Sequence, residues 1–193
     1  MLDKVLVEFL KRIWFITGRP GVGKTTVLLK VVEGLRAEGF KVGGMISREV
    51  RKSGSRIGFE ILDIASGRKG WLAHIKQPVG PKIGKYRVNL NDLNSIGVKA
   101  ILDALEKADV IAIDEVGPME LYSKEFVEAV RRVLESEKPL IGTVHFRVKH
   151  PLIDHLKNRE DSEILEVTLQ NRARLHKLII GNLLLILREK AEG

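Results

Sequence analysis

A short glycine-rich segment constrains this chain more than any other feature of its sequence. Residues 18–25 read Gly-Arg-Pro-Gly-Val-Gly-Lys-Thr and match the pattern G-x-x-x-x-G-K-[ST] at every fixed position. The glycines of this pattern let the backbone curl, so that successive N–H groups point inward at phosphate oxygens. The segment therefore predicts a phosphate-binding loop, which requires a strand before it and a helix after it.

The residues on both sides of the loop meet that requirement. Arg12 to Thr17 is a largely apolar run of strand length. After the loop, apolar residues recur at helical spacing from Val27 to Leu35, and Gly39 follows as a helix stop. We expect Lys24, near the start of this helix, to reach the β- and γ-phosphates, and the Thr25 hydroxyl to bind Mg²⁺. The positive end of the helix dipole strengthens the attraction for phosphate.

A pair of acidic residues follows a second apolar run. Val110 to Ile113 is typical of a strand buried on both faces, and Asp114 and Glu115 come directly after it. Ligands bind at the carboxyl ends of strands in open α/β sheets. We therefore expect Asp114 to hold Mg²⁺ through a water molecule bound to the ion. Glu115 is expected to orient or deprotonate the water that attacks the γ-phosphate, with a salt-bridge or helix-dipole role as the alternative. Glu120 either serves the same site or only begins the next helix.

The rest of the chain alternates between strand and helix patterns, which predicts a three-layer α/β domain with a mainly parallel sheet and helices on both faces. We expect one domain over residues 1–193, with an N-terminal extension at 1–11 and a basic hairpin and loop insertion at 48–90. The expected elements are strands at 41–47, 140–144 and 164–168, a hairpin turn at 52–55, irregular structure with short strands at 65–90, and helices at 91–107, 151–157 and 171–190, with a further helix capped by Ser123 and ending near Ser136.

Composition excludes several classes of function. The chain has no cysteine, which excludes disulfides, thiolate metal sites and cysteine nucleophiles. Glutamine is scarce beside abundant Lys, Arg and Glu, a bias that fits a thermophile. No apolar segment approaches the roughly 20 residues that a membrane span needs, and no secretory signal is visible, so we expect a cytoplasmic protein.

Positive charge is concentrated in the first half of the chain. Residues 1–90 hold 18 Lys and Arg against 7 Asp and Glu, whereas the remainder is net acidic. Such a segment either attracts triphosphates, nucleic acid or an acidic partner, or is an ordinary solvated surface. The basic residues between positions 48 and 87 are Arg48, Arg51, Lys52, Arg56, Arg68, Lys69, Lys76, Lys82, Lys85 and Arg87.

The loop from Gly18 to Thr26, together with the segment from Ile113 to Leu121, resembles the thermophilic nucleoside-triphosphatase family. These are P-loop NTPases related to the vertebrate cancer-related nucleoside-triphosphatase. Shorter segments at residues 49–51, 56–59, 84–88 and 171–172 add to the resemblance. It implies a RecA-like fold and Mg²⁺-dependent hydrolysis of several nucleoside triphosphates with little base preference. Because the sequence identifies no arginine finger, we expect slow turnover.

The resemblance also implies a role for each matching residue. Lys24 and Glu115 would be catalytic, and Thr25 and Asp114 would bind the metal. The chain departs from the family pattern at residues 1–11, at Pro118 where a lysine is common, and at Ala173 where an aspartate is common. The expected nucleotide-binding residues are Gly18, Arg19, Pro20, Gly21, Val22, Gly23, Lys24, Thr25, Thr26, Val110, Ile111, Ala112, Ile113, Asp114, Glu115, Val116 and Gly117.

Two other functions stay open from the residues themselves. A small kinase would pass the γ-phosphate to a nucleoside, a nucleotide or another hydroxyl acceptor, with residues 48–87 forming an acceptor site or a lid. A nucleotide-loaded switch would dock on RNA or protein through the same basic residues. A dedicated GTPase is disfavoured because no Asn-Lys-x-Asp motif occurs. Arg19, Arg147 and Arg172 are candidate arginine fingers, and Thr143 and His145 are candidate γ-phosphate sensors. The apolar C-terminal helix predicts a packed helix or a dimer contact, hence a monomer or weak homodimer.

Overall fold

One mixed sheet runs through the part of the chain that the computed structural model describes, residues 11–192. Apart from Lys11, the expected N-terminal extension lies outside these residues. The sheet has nine strands in the order β5-β6-β4-β3-β2-β7-β8-β1-β9. The strands are β1 (Ile13–Thr17), β2 (Val42–Lys52), β3 (Ser55–Asp63), β4 (Lys69–His74), β5 (Lys82–Ile83), β6 (Tyr86–Val88), β7 (Val110–Val116), β8 (Leu140–Val144) and β9 (Ser162–Glu166).

The sheet has a parallel half and an antiparallel half that meet at β2. Strands β2, β7, β8, β1 and β9 pair in parallel, which confirms the predicted α/β core. Beyond β2, the strands β3, β4, β6 and β5 pair antiparallel and form what we call the wing. Strand β8 lies between β1 and β7, so the segments that follow β1 and β7 face each other across one intervening strand.

Helices cover both faces of the sheet. Alternate residues of β1 point to opposite faces, so that Phe15 joins one hydrophobic cluster, whereas Trp14 and Ile16 join the other. The helical elements are α1 (Lys24–Ala37), α2 (Leu90–Asp92), a π-helical segment (Leu93–Val98), α3 (Lys99–Lys107), a 3₁₀ turn (Glu120–Tyr122), α4 (Lys124–Glu135), α5 (Pro151–Lys157) and α6 (Leu175–Glu192).

The wing is where the structure departs most from the sequence-based expectation. Strand β2 continues five residues beyond the predicted end at Ser47, to Lys52, because its outer part pairs with β3. The predicted hairpin turn is confirmed, with Ser53 and Gly54 both at positive φ, as the tightest hairpins require. Residues 65–90 contain three short strands, as expected, but these strands join the same sheet as the parallel core, which the sequence did not indicate.

The C-terminal helix packs mostly inward. Leu175, Ile179 and Leu183 are buried, and a methyl group added at Gly34 of α1 would meet the Ile180 side chain. Leu178 and other outer positions stay exposed. Within residues 11–192, no helix is both long enough and apolar enough to cross a bilayer.

Replacing Ser123 tests the cap that begins α4. The Ser123 hydroxyl accepts from the Phe126 N–H at 3.0 Å and lies 2.6 Å from the Asn94 amide oxygen. Ser123→Ala should therefore lower the free energy of unfolding by about 1–2 kcal/mol, measured by denaturant titration. Ser55→Ala, at an exposed position in the wing, should change it by less than about 0.5 kcal/mol. Equal effects of the two variants would contradict this account of the cap.

Candidate active site

The glycine-rich loop connects β1 to α1 and depends on its glycines for its path. Gly18 and Gly23 have φ values of 144° and 110°, which side chains other than glycine rarely adopt. A Cβ at Gly18 would also lie 2.9 Å from the Val167 carbonyl oxygen. Helix α1 begins at Lys24 with no acidic residue in its first turn, so the positive end of its dipole faces the loop unneutralised.

Lys24 lies between the loop and the end of β7. Its Nζ is 3.3 Å from the carbonyl oxygen of Gly18, to which it donates, and 3.3 Å from Oε1 of Glu115. Glu115 Oε1 is buried, yet it accepts no hydrogen bond from any residue that the structure describes. Its interaction with Lys24 is therefore ionic only, and an entering ligand can displace it.

Asp114 is the buried anchor of the site, with 2% of its surface exposed. Thr25 donates a 2.9 Å hydrogen bond to one carboxylate oxygen, and Thr143 donates to the other. Burial raises the pKa of Asp114 to about 6; the two hydroxyls and Lys24 oppose that rise, and the charge of Glu115 adds to it. Hydroxyl and carboxylate oxygens are the donors that Mg²⁺ prefers, so Thr25 and Asp114 fit this ion.

An extra residue in β7 explains how two consecutive carboxylates serve one site. Ile113 pairs with Gly142 and Val116 pairs with Val144, so β7 has one more residue than β8 between these pairs. In a regular strand, neighbouring side chains point to opposite faces, whereas a bulge redirects them. Here Asp114 and Glu115 contact Thr25 and Lys24, which are themselves consecutive.

Glu120, which the sequence left open, belongs to this site as well as to the 3₁₀ turn. A Cβ at Gly117 would lie 3.1 Å from Oε2 of Glu115 and 3.1 Å from Oε2 of Glu120, so the two carboxyl groups approach each other there. Burial, with a smaller contribution from the charges of Glu115 and Asp114, raises the pKa of Glu120 to about 8. At neutral pH Glu120 is therefore mostly protonated.

A cavity of about 330 Å³ opens beside Lys24 and Glu115. The parallel half and the wing both line it. The sequence indicated residues 48–87 only as a possible acceptor site and assigned no individual wing residue to the nucleotide site, because only the strand pairing brings these residues here. Its lining residues are Pro20, Lys24, Ser47, Arg56, Phe59, Leu72, Ile83, Glu115, Pro118, Met119, Glu120 and His145.

The structure places the other predicted residues in different surroundings. Arg19 and Arg147 are exposed and do not line this cavity, whereas His145 does. Arg172 lies near Gly23, beside a separate cavity of about 200 Å³ on the outer side of the loop. The predicted nucleotide-binding residues Val110, Ile111, Ala112 and Ile113 are wholly buried in the hydrophobic clusters, in the strand that leads to Asp114.

A larger cavity lies away from this chemistry. It has a volume of about 610 Å³ and is lined by Gly39, Asp109 and Pro139, among others. Asp109 and Pro139 directly precede β7 and β8, so this cavity lies at the amino ends of the parallel strands. Because open α/β sheets bind ligands at the carboxyl ends, the smaller cavity beside Lys24 is the candidate active site.

Comparison with known proteins gives consistent matches. A family model described as NTPase matches residues 13–180. The nucleoside-triphosphatase THEP1 of Thermofilum pendens is 47% identical over 160 residues, which cover 82% of this chain and 88% of that protein. The protein of the same name from Methanopyrus kandleri is 44% identical over 176 residues, 91% of this chain and 97% of that one.

Two solved structures share the fold over nearly the same range. THEP1 from Aquifex aeolicus has a TM-score of 0.78 at 32% identity, covering 89% of this chain and 98% of that structure. A human cancer-related nucleoside triphosphatase has a TM-score of 0.74 at 34% identity, covering 88% and 96%.

The raised pKa of Glu120 makes stability depend on pH. In the unfolded chain Glu120 releases its proton near pH 4.5, whereas in the folded chain it keeps the proton up to a pH of about 8. The contribution of Glu120 to the free energy of unfolding is therefore complete below pH 4.5 and is lost as the pH rises to about 8. Glu120→Gln stays uncharged, so its unfolding temperature minus that of the wild type should increase steadily from pH 5 to pH 8. For Glu128→Gln, at an exposed position, the difference in unfolding temperature from the wild type should not change with pH. If the difference for Glu120→Gln is also independent of pH, the raised pKa of Glu120 is contradicted.

Proposed function

The chain belongs to the NTPase family that matches residues 13–180, and we propose that it hydrolyses nucleoside 5′-triphosphates to diphosphate and phosphate in the presence of Mg²⁺. One observation carries this proposal. Lys24 and Thr25, consecutive residues at the start of α1, contact Glu115 and Asp114, consecutive residues at the end of β7. This arrangement puts a cation, two oxygen ligands for Mg²⁺ and a carboxylate around the place where the γ-phosphate would lie.

The loop and α1 bind the triphosphate. Backbone N–H groups of residues 18–25 and the helix dipole attract the phosphate oxygens, and Lys24 neutralises charge on the β- and γ-phosphates. Thr25 and Asp114 would hold Mg²⁺, which when bound supplies positive charge to the same oxygens. Before a nucleotide binds, Lys24 is paired with Glu115. When the phosphates enter, Lys24 turns to them and leaves Glu115 free to face water.

Glu115 then acts on the attacking water. Its Oε1 is buried and accepts no hydrogen bond within residues 11–192, so it is free to accept the proton of the water. The water oxygen forms a bond to the γ-phosphorus, and the bond from that phosphorus to the β–γ bridging oxygen breaks. The products are a nucleoside diphosphate and phosphate, with the proton on Glu115.

Broad base specificity and slow turnover are supported by what surrounds the loop. Besides Arg172, the cavity on that side of the loop is lined by Gly23, Thr26, Val27, Lys30 and Ala173. None of these residues is an Asn or Asp, whose side chain could recognise the edge of a particular base. None of the three predicted arginine fingers lines the cavity beside Lys24. An arginine finger contributes roughly 10³–10⁵ in rate, so turnover without one is slow.

The water-activating role of Glu115 is tested by an isosteric variant. Glu115→Gln removes the proton acceptor and should lower kcat for phosphate release by about 10²–10⁴, while nucleotide affinity changes little. Phosphate release at elevated temperature and fluorescent-nucleotide binding measure the two quantities. Glu128→Gln, an exposed site on α4, should retain full activity. Undiminished hydrolysis by Glu115→Gln would overturn this role.

Base preference is tested by comparing the common substrates. The kcat/KM values for ATP, GTP, CTP and UTP should fall within about tenfold of one another, because discrimination beyond about 1.4 kcal/mol requires a dedicated base contact. Steady-state phosphate release with each nucleotide and Mg²⁺ provides the comparison. One nucleotide preferred by a hundredfold would contradict broad specificity, although hydrolysis itself would stand.

A further inference from the structure

The cavity beside Lys24 and Glu115 is larger than hydrolysis needs. Its volume is about 330 Å³. A single water molecule has a share of roughly 30 Å³ in the liquid, so the cavity has room for much more than the one attacking water.

The two sides of this cavity differ in chemistry. On the side of the parallel half, Lys24 and Glu115 face the position of the γ-phosphate. On the other side, Phe59, Leu72 and Ile83 of the wing present apolar surface. Apolar side chains gain nothing from contact with water or phosphate, whereas they bind the carbon atoms of an organic ligand. The cavity therefore suits an organic molecule placed next to the reacting phosphate.

Arg56 supplies a fixed cation on the wing side of the cavity. Its Nε donates to the Tyr86 hydroxyl at 2.9 Å, and its Nη1 donates to Glu49 Oε2 at 2.7 Å. The guanidinium carbon also lies 5.2 Å from the centre of the Phe59 ring. Among residues 11–192, no acceptor binds its other terminal nitrogen, Nη2. A guanidinium held in this way is ready to bind a carboxylate.

Three segments that the proposed hydrolysis leaves without a role meet at this point. Glu49, Arg56 with Phe59, and Tyr86 come from residues 49–51, 56–59 and 84–88; the first two segments are the arms of one hairpin, whereas the third is distant from them in sequence. The pairing of β2 with β3, and of β3 through β4 with β6, brings them together. They build one cluster around the Arg56 guanidinium at the edge of the cavity.

We propose that this cavity binds a second substrate, a small hydroxy carboxylate, and that the chain transfers the γ-phosphoryl group to its hydroxyl. The carboxylate binds Arg56, the carbon chain packs against Phe59 and the other apolar residues of the wing, and the hydroxyl lies beside Glu115. The proposal rests on the nucleotide site of the proposed function and extends it from hydrolysis to transfer.

The transfer uses the same groups as hydrolysis. The acceptor oxygen forms a bond to the γ-phosphorus, and the bond from that phosphorus to the β–γ bridging oxygen breaks. The nucleoside diphosphate leaves, and the hydroxyl proton passes to the Glu115 carboxylate. Hydrolysis is the reaction that remains when water occupies the place of the acceptor.

The charge of the wing favours an anionic acceptor. All ten basic residues between positions 48 and 87 are exposed. A surface of one sign raises the local concentration of ligands of the opposite sign. The same field that attracts triphosphates therefore also brings a small carboxylate to the cavity.

Matched acceptors test the proposal. The full chain is incubated with ATP and Mg²⁺ and with either 4-hydroxybutyrate or 6-hydroxyhexanoate, and in parallel with butane-1,4-diol or hexane-1,6-diol. ADP and inorganic phosphate are both measured, and phosphorus NMR detects the phosphate ester. Transfer gives more ADP than phosphate. We expect that excess with a hydroxy carboxylate, with a KM about tenfold to a hundredfold lower than for the corresponding diol.

Variants of two arginines then locate the carboxylate site. Arg56→Ala should abolish the preference for the acid over the diol, and Arg56→Lys should keep part of it because the charge remains. Arg51→Ala is the matched control, since Arg51 contacts the same Glu49 but does not line the cavity, and it should keep the preference in full.

Each other outcome overturns a defined part of the account. Equal amounts of ADP and phosphate with saturating hydroxy carboxylate, even if the acid binds, would overturn the acceptor site and leave hydrolysis intact. An acid preference that survives in both Arg56 variants would also overturn it. If ADP and phosphate are both absent under all conditions, the proposed function itself fails.

Discussion

The hydrogen-bonded carboxylate of Asp114 is the constraint on which the rest of the site depends. A buried carboxylate is costly unless its oxygens are paired, and here Thr25 of α1 and Thr143 of β8 each bind one of them. Three elements are thereby tied at one point: the helix after the loop, strand β7 and strand β8. Once Asp114 is fixed, Glu115 can only lie next to it, facing Lys24.

The sequence predicted the parts of this site that are local in the chain. The loop, its flanking strand and helix, and the acidic pair after β7 are each recognisable from a few consecutive residues. The bulge that directs the side chains of Asp114 and Glu115 to the same site was not predictable, because it is a property of the register between β7 and β8. The role of Glu120 was left open for a similar reason. Its place in the site depends on its burial next to Glu115, and no local sequence pattern reveals burial.

The wing was the least predictable region. Its strands β4, β5 and β6 are short, and the residues around them are rich in glycine, proline and lysine. None of the three strands is long enough for a clear alternation of apolar and polar residues, so the sequence does not fix their bounds or their pairing. Yet their pairing decides that Arg56 meets Tyr86 and that Phe59 faces the cavity. The parallel half thus provides general phosphate chemistry, and the wing adds the surface that makes this cavity different from a bare phosphate site.

The two outermost strands of the sheet have a consequence for the protein in crowded solution. An exposed strand edge offers unpaired backbone groups to other chains, and long apolar edges promote aggregation. Here one edge is β5, only two residues long, and the other is β9, where Glu163 and Glu166 interrupt the apolar residues. Within residues 11–192, the nine-stranded sheet thus ends on both sides in strands that are poor templates for a further strand. In this part of the chain, the width of the sheet therefore comes without a long apolar edge on which another chain could pair.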